Sequence, residues 1–257
     1  MLGGLAPGDS STSRVWSVDV HRRTTTAAGH LAVAVHDASG AVLHGHVFVF
    51  GGGAATTVAT VQEWNAGVAH VVGSLPQPRS DSSSAVIGST AYVVGGFDGQ
   101  HMDRDVVATT DGVHFRVVAR LRAGVRYAAV AAVGHDLFVG GGALATTEGT
   151  ASGPTTSDVQ RVDTLTGRVD VVAKLPHQIA HAVGVVADGM PCVAGGRTSA
   201  GAASSVYSVT PNVTILGRLP RAISDAGAAV IGSTTYVVGG EKSGPYDLSD
   251  AVVAIAT

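Results

Sequence analysis

Hydrophobic and polar positions fall into short apolar runs separated by turn residues, and the runs come in pairs. In 35–52 (VHDASGAVLHGHVFVFGG), 79–96, 125–142, 179–196 and 223–240, an apolar run meets a two-residue turn and a second apolar run that ends in Gly-Gly. The turn pairs are His44-Gly45, Gly88-Ser89, Gly134-His135, Asp188-Gly189 and Gly232-Ser233. X-Gly and Gly-X dipeptides suit the positive φ angles of type I′ and II′ turns, so each segment predicts a β-hairpin, strands a and b. A third run opens on a small polar residue, as in SRVWSVDV, SDVQRVD, SSVYSV and SDAVVAI. After a turn such as TDG or DTLTGR comes a fourth run, as in HFRVVARL or VDVVAKLP.

The units repeat. The glycine pairs begin at Gly51, Gly95, Gly141, Gly195 and Gly239, and a leucine stands at a constant distance before each: Leu31, Leu75, Leu121, Leu175 and Leu219. Insertions are therefore confined to the stretch after each pair, the pattern of a rigid unit joined by variable loops. Two copies, SDSSSAVIGSTAYVVGG (80–96) and SDAGAAVIGSTTYVVGG (224–240), are nearly identical. A unit of four antiparallel strands cannot bury both faces alone, so copies must stack around an axis. The expected fold is an all-β propeller, a single domain over 1–257 with repeats at about 1–30 (partial), 31–74, 75–120, 121–174, 175–218 and 219–257 (partial).

The glycine pairs, the aromatic three residues before most of them (Phe48, Tyr92, Phe138, Tyr236) and the Asp-x-x-Thr-Gly turn at 163–167 resemble the Kelch family of β-propellers. The usual tryptophan of the fourth strand is missing, with small or aliphatic residues in its place. The repeats are also similar to those of Kelch-repeat proteins of bacteria, actinobacteria in particular. The resemblance implies four-stranded blades. A sixth pair, Gly3-Gly4, is followed by third and fourth strands only, and the last pair by a third strand only. Two closures follow: a six-bladed type with an incomplete N-terminal blade, or five blades closed by the N-terminal strands.

Composition narrows the function classes. The formal net charge is −3 and the Lys and Arg residues are scattered, which argues against a nucleic-acid partner. No apolar run approaches the ~20 residues of a membrane helix. MLGGLAPGDSSTS has neither a basic start nor an apolar stretch, so no signal peptide is visible. A cytoplasmic protein is expected, or a secreted or cell-envelope one if the chain is a fragment whose leader is missing. A monomer is expected.

Strict register exposes candidate chemistry. In a blade, strand a lines the channel, so its start, the end of strand b and the loop after Gly-Gly share one face. Fourteen residues before each glycine pair stand Asp37, Asp81, Tyr127, His181 and Asp225; one position earlier stand His36, Ser80, Arg126, Ala180 and Ser224. The first set forms an expected ring of carboxylates, a phenol and an imidazole. Two readings stand. Polar residues at strand starts satisfy orphan backbone groups or hold channel water. Alternatively His36, Asp37, Asp81, Arg126, Tyr127, His181 and Asp225 bind a polar ligand or cation, in which case crowded carboxylates raise one another's pKa or recruit positive charge.

Other candidates are weaker. Cys192 occupies the aromatic column and is expected to be a packing residue. His44, His46 and His135 lie at or beside turns. There is no metalloprotease helix motif, nucleophile elbow, P-loop or dinucleotide fingerprint, and no metal or cofactor is expected. The loop 97–105 carries Asp98, His101, Asp103, Arg104 and Asp105, either as ligands above the ring or as a solvated turn; the longest loop carries Glu148. A noncatalytic module recognising a protein, glycan or small polar solute is favoured, since nothing resembles a nucleophile and its base. The alternative implied by the resemblance is a Kelch-type enzyme such as a sugar mutarotase or epimerase. The copper oxidases of that family need a Tyr-Cys pair, and the position of Cys192 argues against them.

Overall fold

The computed structural model describes residues 1–6, 8, 10–144, 154–242 and 247–256, so Glu148 lies outside the described residues. No helix occurs among them. The chain forms two compact units, Met1–Val118 and Ala119–Thr257.

The first unit opens with a two-stranded ladder, Arg14–Asp19 on Thr24–His30. Blade 1 follows, with strands Ser39–Leu43, His46–Phe50, Thr60–Asn65 and Val68–Ser74 in spatial order. Blade 2 has Ser83–Ile87, Thr90–Val94, Asp105–Thr109 and Arg116–Arg120, the last spanning the division between the units. The second unit holds blade 3 (Ala129–Val133, Asp136–Gly140, Asp158–Asp163, Val169–Lys174) and blade 4 (Val183–Ala187, Met190–Ala194, Ser205–Ser208, Thr214–Arg218). Blade 5 has three strands, Gly227–Ile231, Thr234–Val238 and Val252–Ala256.

Five blades with an inner hairpin are therefore present, the count of the five-bladed expectation. The incomplete N-terminal repeat corresponds to the separate two-stranded ladder. That ladder carries a register shift at Val15/Trp16, and the outer strand pairs of blades 1, 3 and 4 carry the same shift at Val61/Gln62, Val159/Gln160 and Val206/Tyr207. It is built as the outer half of a blade.

All five hairpin turns fall where the dipeptides predict. His44-Gly45 and Asp188-Gly189 have positive φ at both residues, as in type I′, whereas Gly88, Gly134 and Gly232 have it only at the first, as in type II′. The glycine pairs are fixed by a close approach as well as by φ. Gly51 (φ 62°) donates its N–H to Thr60 C=O, and Gly52 donates to Arg79 C=O at the entrance to the next blade. A Cβ on Gly51 would lie 2.2 Å from that Arg79 oxygen. The same contact recurs between Gly141 and Ile179 and between Gly195 and Ile223. It recurs at Gly3 with Val35, so the sixth pair is a structural equivalent.

The constant leucines explain the constant spacing. Leu31, Leu75, Leu121, Leu175 and Leu219 are all buried, and four of them sit in the apolar clusters between successive sheets. Between blades 1 and 2, for example, Leu75 joins Phe48, Phe50, Val61, Val93 and Val107. Changing the spacing would pull the leucine out of this cluster, whereas the loops after Gly-Gly leave it untouched.

Cys192 is one of these packing residues. Its side chain is buried with Leu219, Ile223 and Val237, and its thiol donates weakly to Met190 C=O. Burial pushes the thiol up to about 11. At pH 8 on the order of one molecule in a thousand then carries the thiolate that reacts. Ellman's reagent is expected to label native protein far more slowly than protein in guanidinium; equal rates in the two would refute the assignment.

One column breaks the aliphatic pattern. The residues that accept from the second glycine of a preceding pair are Val35, Ile179 and Ile223 in three repeats, and Val125 holds the same place in the sequence of another; in the remaining repeat the acceptor is Arg79, which is fully buried. Its charge is met by Asp103, with Nη2 and Oδ2 2.6 Å apart, while Nη1 donates to Gly95 and Asp105 carbonyls at 3.0 and 3.2 Å. Asp98 meanwhile accepts from the Gln100 and His101 N–H groups of its own turn. In the charged loop 97–105, Asp98 and Asp103 thus serve the scaffold.

Candidate functional site

The column Asp37, Asp81, Tyr127, His181, Asp225 shares one backbone conformation. All five have φ between 49° and 58°, and they make up most of the non-glycine residues with positive φ among the described residues. The reason is a backbone link from blade to blade. Asp81 N–H donates to Asp37 C=O at 2.8 Å in the first unit; His181 N–H donates to Tyr127 C=O and Asp225 N–H to His181 C=O, both at 2.9 Å, in the second. Asp and His enter this left-handed region more readily than other non-glycine residues, whereas a bulky Tyr is rare there. The scaffold therefore accounts for part of the aspartate pattern, as the backbone reading expects.

Side chains go further in the second unit. The Arg126 guanidinium lies over the Tyr127 ring, 4.9 Å from its centroid. Tyr127 and His181 stack with centroids 3.9 Å apart and planes at 24°. His181 Nδ1 is bonded to Asp225 Oδ1, and Arg197 Nη2 stands 3.7 Å from Asp225 Oδ2. The same nitrogen donates to Ser224 Oγ at 2.9 Å and Glu241 Oε2 at 2.8 Å. Four residues named by the sequence register, Arg126, Tyr127, His181 and Asp225, thus meet in one continuous chain of contacts. Two more, Arg197 and Glu241, complete it.

The electrostatics follow from this chain. Burial pushes the Asp225 carboxyl up, but the hydrogen bond and charge of His181, with Ser224 and Arg197 behind them, more than offset it and hold the group below the usual carboxylate range. Of the two expected outcomes for a ring carboxylate, Asp225 takes the second, recruited positive charge. Since an ionised carboxylate only accepts, His181 Nδ1 carries the proton of their bond. The His181, Asp225, Arg197 and Glu241 side chains are between 26 and 32% exposed, enough for a solute to touch them.

In the first unit the candidates are held by other contacts. Asp81 is buried and accepts from Ser80 Oγ at 3.1 Å. His36 turns its Nδ1 to Ser11 Oγ at 2.8 Å and packs its ring on Gly53. Asp37 is exposed and meets Asp81 through its carbonyl.

Arg197 and Glu241 lie outside the column at the start of strand a, so the register of that column does not name them. Both are the first residue after a glycine pair, a position that the constant register could have singled out. One further group of metal-ligating type occurs among the described residues: His135, Asp136 and Asp163, with ligand atoms within 4.8 Å of one another. There Arg161 Nε is 2.8 Å from Asp136 Oδ2, and Asp163 Oδ1 accepts from Leu165 and Thr166 N–H. An arginine already supplies the charge that a cation would.

The fold defines the class: this is a β-propeller of four-stranded antiparallel blades. A solved structure described as that of YjhT superimposes with a TM-score of 0.81 over 99% of this chain and 94% of that one, at 15% sequence identity. In all, 407 solved chains match, so the architecture is common property and function must be sought in the site. No family model and no curated protein sequence matches the chain.

Proposed function

We propose that this protein is a noncatalytic binding propeller with Kelch-type repeats, which recognises a protein, glycan or small polar ligand at the loop face. The observation that carries this reading is the contact chain Arg126–Tyr127–His181–Asp225–Arg197–Glu241. It gathers cationic, anionic and aromatic groups on successive blades around a histidine held by a carboxylate, with the His181, Asp225, Arg197 and Glu241 side chains partly exposed. Donors and acceptors side by side suit a ligand that offers both.

A second reading has one observation in its favour. A partly exposed imidazole oriented by a carboxylate is an acid–base group, which a sugar mutarotase or epimerase would use. The two readings separate in one pair of measurements. Thermal-shift titrations with sugars, organic acids and divalent ions are expected to reveal a stabilising ligand for the wild type, and Asp37→Asn/Asp81→Asn/Asp225→Asn is expected to lose most of that shift. An unchanged ligand profile in the triple variant would sink the site. Anomer exchange of any sugar that binds, followed by NMR, should run no faster with protein than in buffer; acceleration that disappears in His181→Ala would establish the enzymatic reading instead.

A further inference from the structure

Each residue just before the left-handed column is bridged, as an antiparallel pair, to the first residue after a glycine pair. The pairs are His36 with Gly53, Ser80 with Phe97, Arg126 with Ala143, Ala180 with Arg197, and Ser224 with Glu241. Bridged residues project to the same side and compete for the same space. Every pair joins one large side chain to one small one, and the large partner comes from either strand.

The first pair shows that this is a matter of room. Gly53 does not have a left-handed φ, so its backbone tolerates alanine, yet a Cβ there would lie 2.5 Å from His36 Nε2. The His36 ring cannot swing away without breaking its bond to Ser11 Oγ. In the second unit, small Ser224 lets the Arg197 guanidinium reach both its hydroxyl and Glu241.

Packing alone would fill such positions with repeated apolar residues, as it does in the leucine column. Here the large partners are His36, Phe97, Arg126, Arg197 and Glu241, four of them polar and varied from blade to blade beside an invariant scaffold. We propose that such a bridge is a recognition position where its large side chain reaches solvent, and that Arg197 and Glu241 are the specificity-determining residues of the site around His181, whereas Arg126 is buried. Arg197 would take acceptor atoms of a polar ligand, and Glu241 its donors. This inference rests on the reading of that site as a ligand site.

Two measurements test it. Gly53→Ala is expected to lower Tm by about 5 °C through overpacking, and His36→Ser/Gly53→Ala to regain most of the loss; a double variant no more stable than Gly53→Ala overturns the shared-space rule. Glucuronate, glucosamine and citrate then serve as thermal-shift probes. Arg197→Ala and Glu241→Ala are each expected to weaken the half-saturation concentration of a probe that shifts the wild type by about tenfold. Ala180→Arg/Arg197→Ala, which carries the guanidinium across the bridge, should recover part of the Arg197→Ala loss. If the response depends on Asp225 but not on Arg197 or Glu241, the site stands and this assignment falls. If no probe shifts the wild type, both fall.

Discussion

Replacing Asp103 with alanine is expected to cost about 3 to 5 kcal/mol, the largest single effect of any substitution away from the hydrophobic clusters. Arg79 is fully buried, and its guanidinium stays charged at every accessible pH. Burial pushes its pKa down while Asp103 and Asp105 pull it back up. Removing Asp103 leaves a buried cation held only by two carbonyls and a more distant charge, and the enclosed Nε already has no hydrogen-bond partner. A midpoint fall of about 10 °C follows from that loss, checked by thermal or urea unfolding followed by circular dichroism. The equivalent residues in the other repeats are Val and Ile, so Arg79→Ile/Asp103→Ala should regain most of the stability. An Asp103→Ala cost below about 1 kcal/mol, or a double variant no better than the single, would refute this account.

The second large effect is at the glycine pairs. Gly51→Ala combines a φ of 62° with a Cβ placed 2.2 Å from Arg79 C=O, backbone that cannot yield without separating the first blade from the entrance to the second. Left-handed strain by itself costs about 1 to 2 kcal/mol, and the overlap adds a shift of the chain, so about 3 kcal/mol or more is expected. Gly88→Ala is the matched control. Gly88 has φ 59° but sits at a hairpin tip with no heavy atom within 4 Å of a built Cβ. Only the conformational part should appear there, about 1 kcal/mol. Unfolding midpoints of the two variants measure the close approach as their difference; equal losses would show that φ alone requires the glycine pair.

Much of the fold was legible because its causes are local or periodic. The turn dipeptides, the alternation of apolar runs and the fixed distance from leucine to glycine pair each act within one repeat, so a linear reading finds them. Arg79 was not legible as a buried ion pair. It looks like one scattered surface arginine, and only its place in the aliphatic column, with Asp103 folded back from the loop, shows otherwise. The site divides in the same way. Register alone aligned Asp37, Asp81, Tyr127, His181 and Asp225, because a repeat that preserves its spacing preserves its backbone geometry. Register could not say that Tyr127 stacks on His181 while His36 turns to Ser11.

The amino-acid sequence by itself determined the blade unit, its hairpin turns, the glycine-pair junctions and the column at the start of strand a. These depend on steric limits on φ and on the period of burial, which neighbouring residues impose. Only the tertiary structure decided that Arg197 and Glu241 join His181 and Asp225, and that aspartates of one column serve different ends. Side chains separated by one repeat or more meet there, and the carboxylate–guanidinium and ring contacts between them are fixed by the stacking of one sheet on the next.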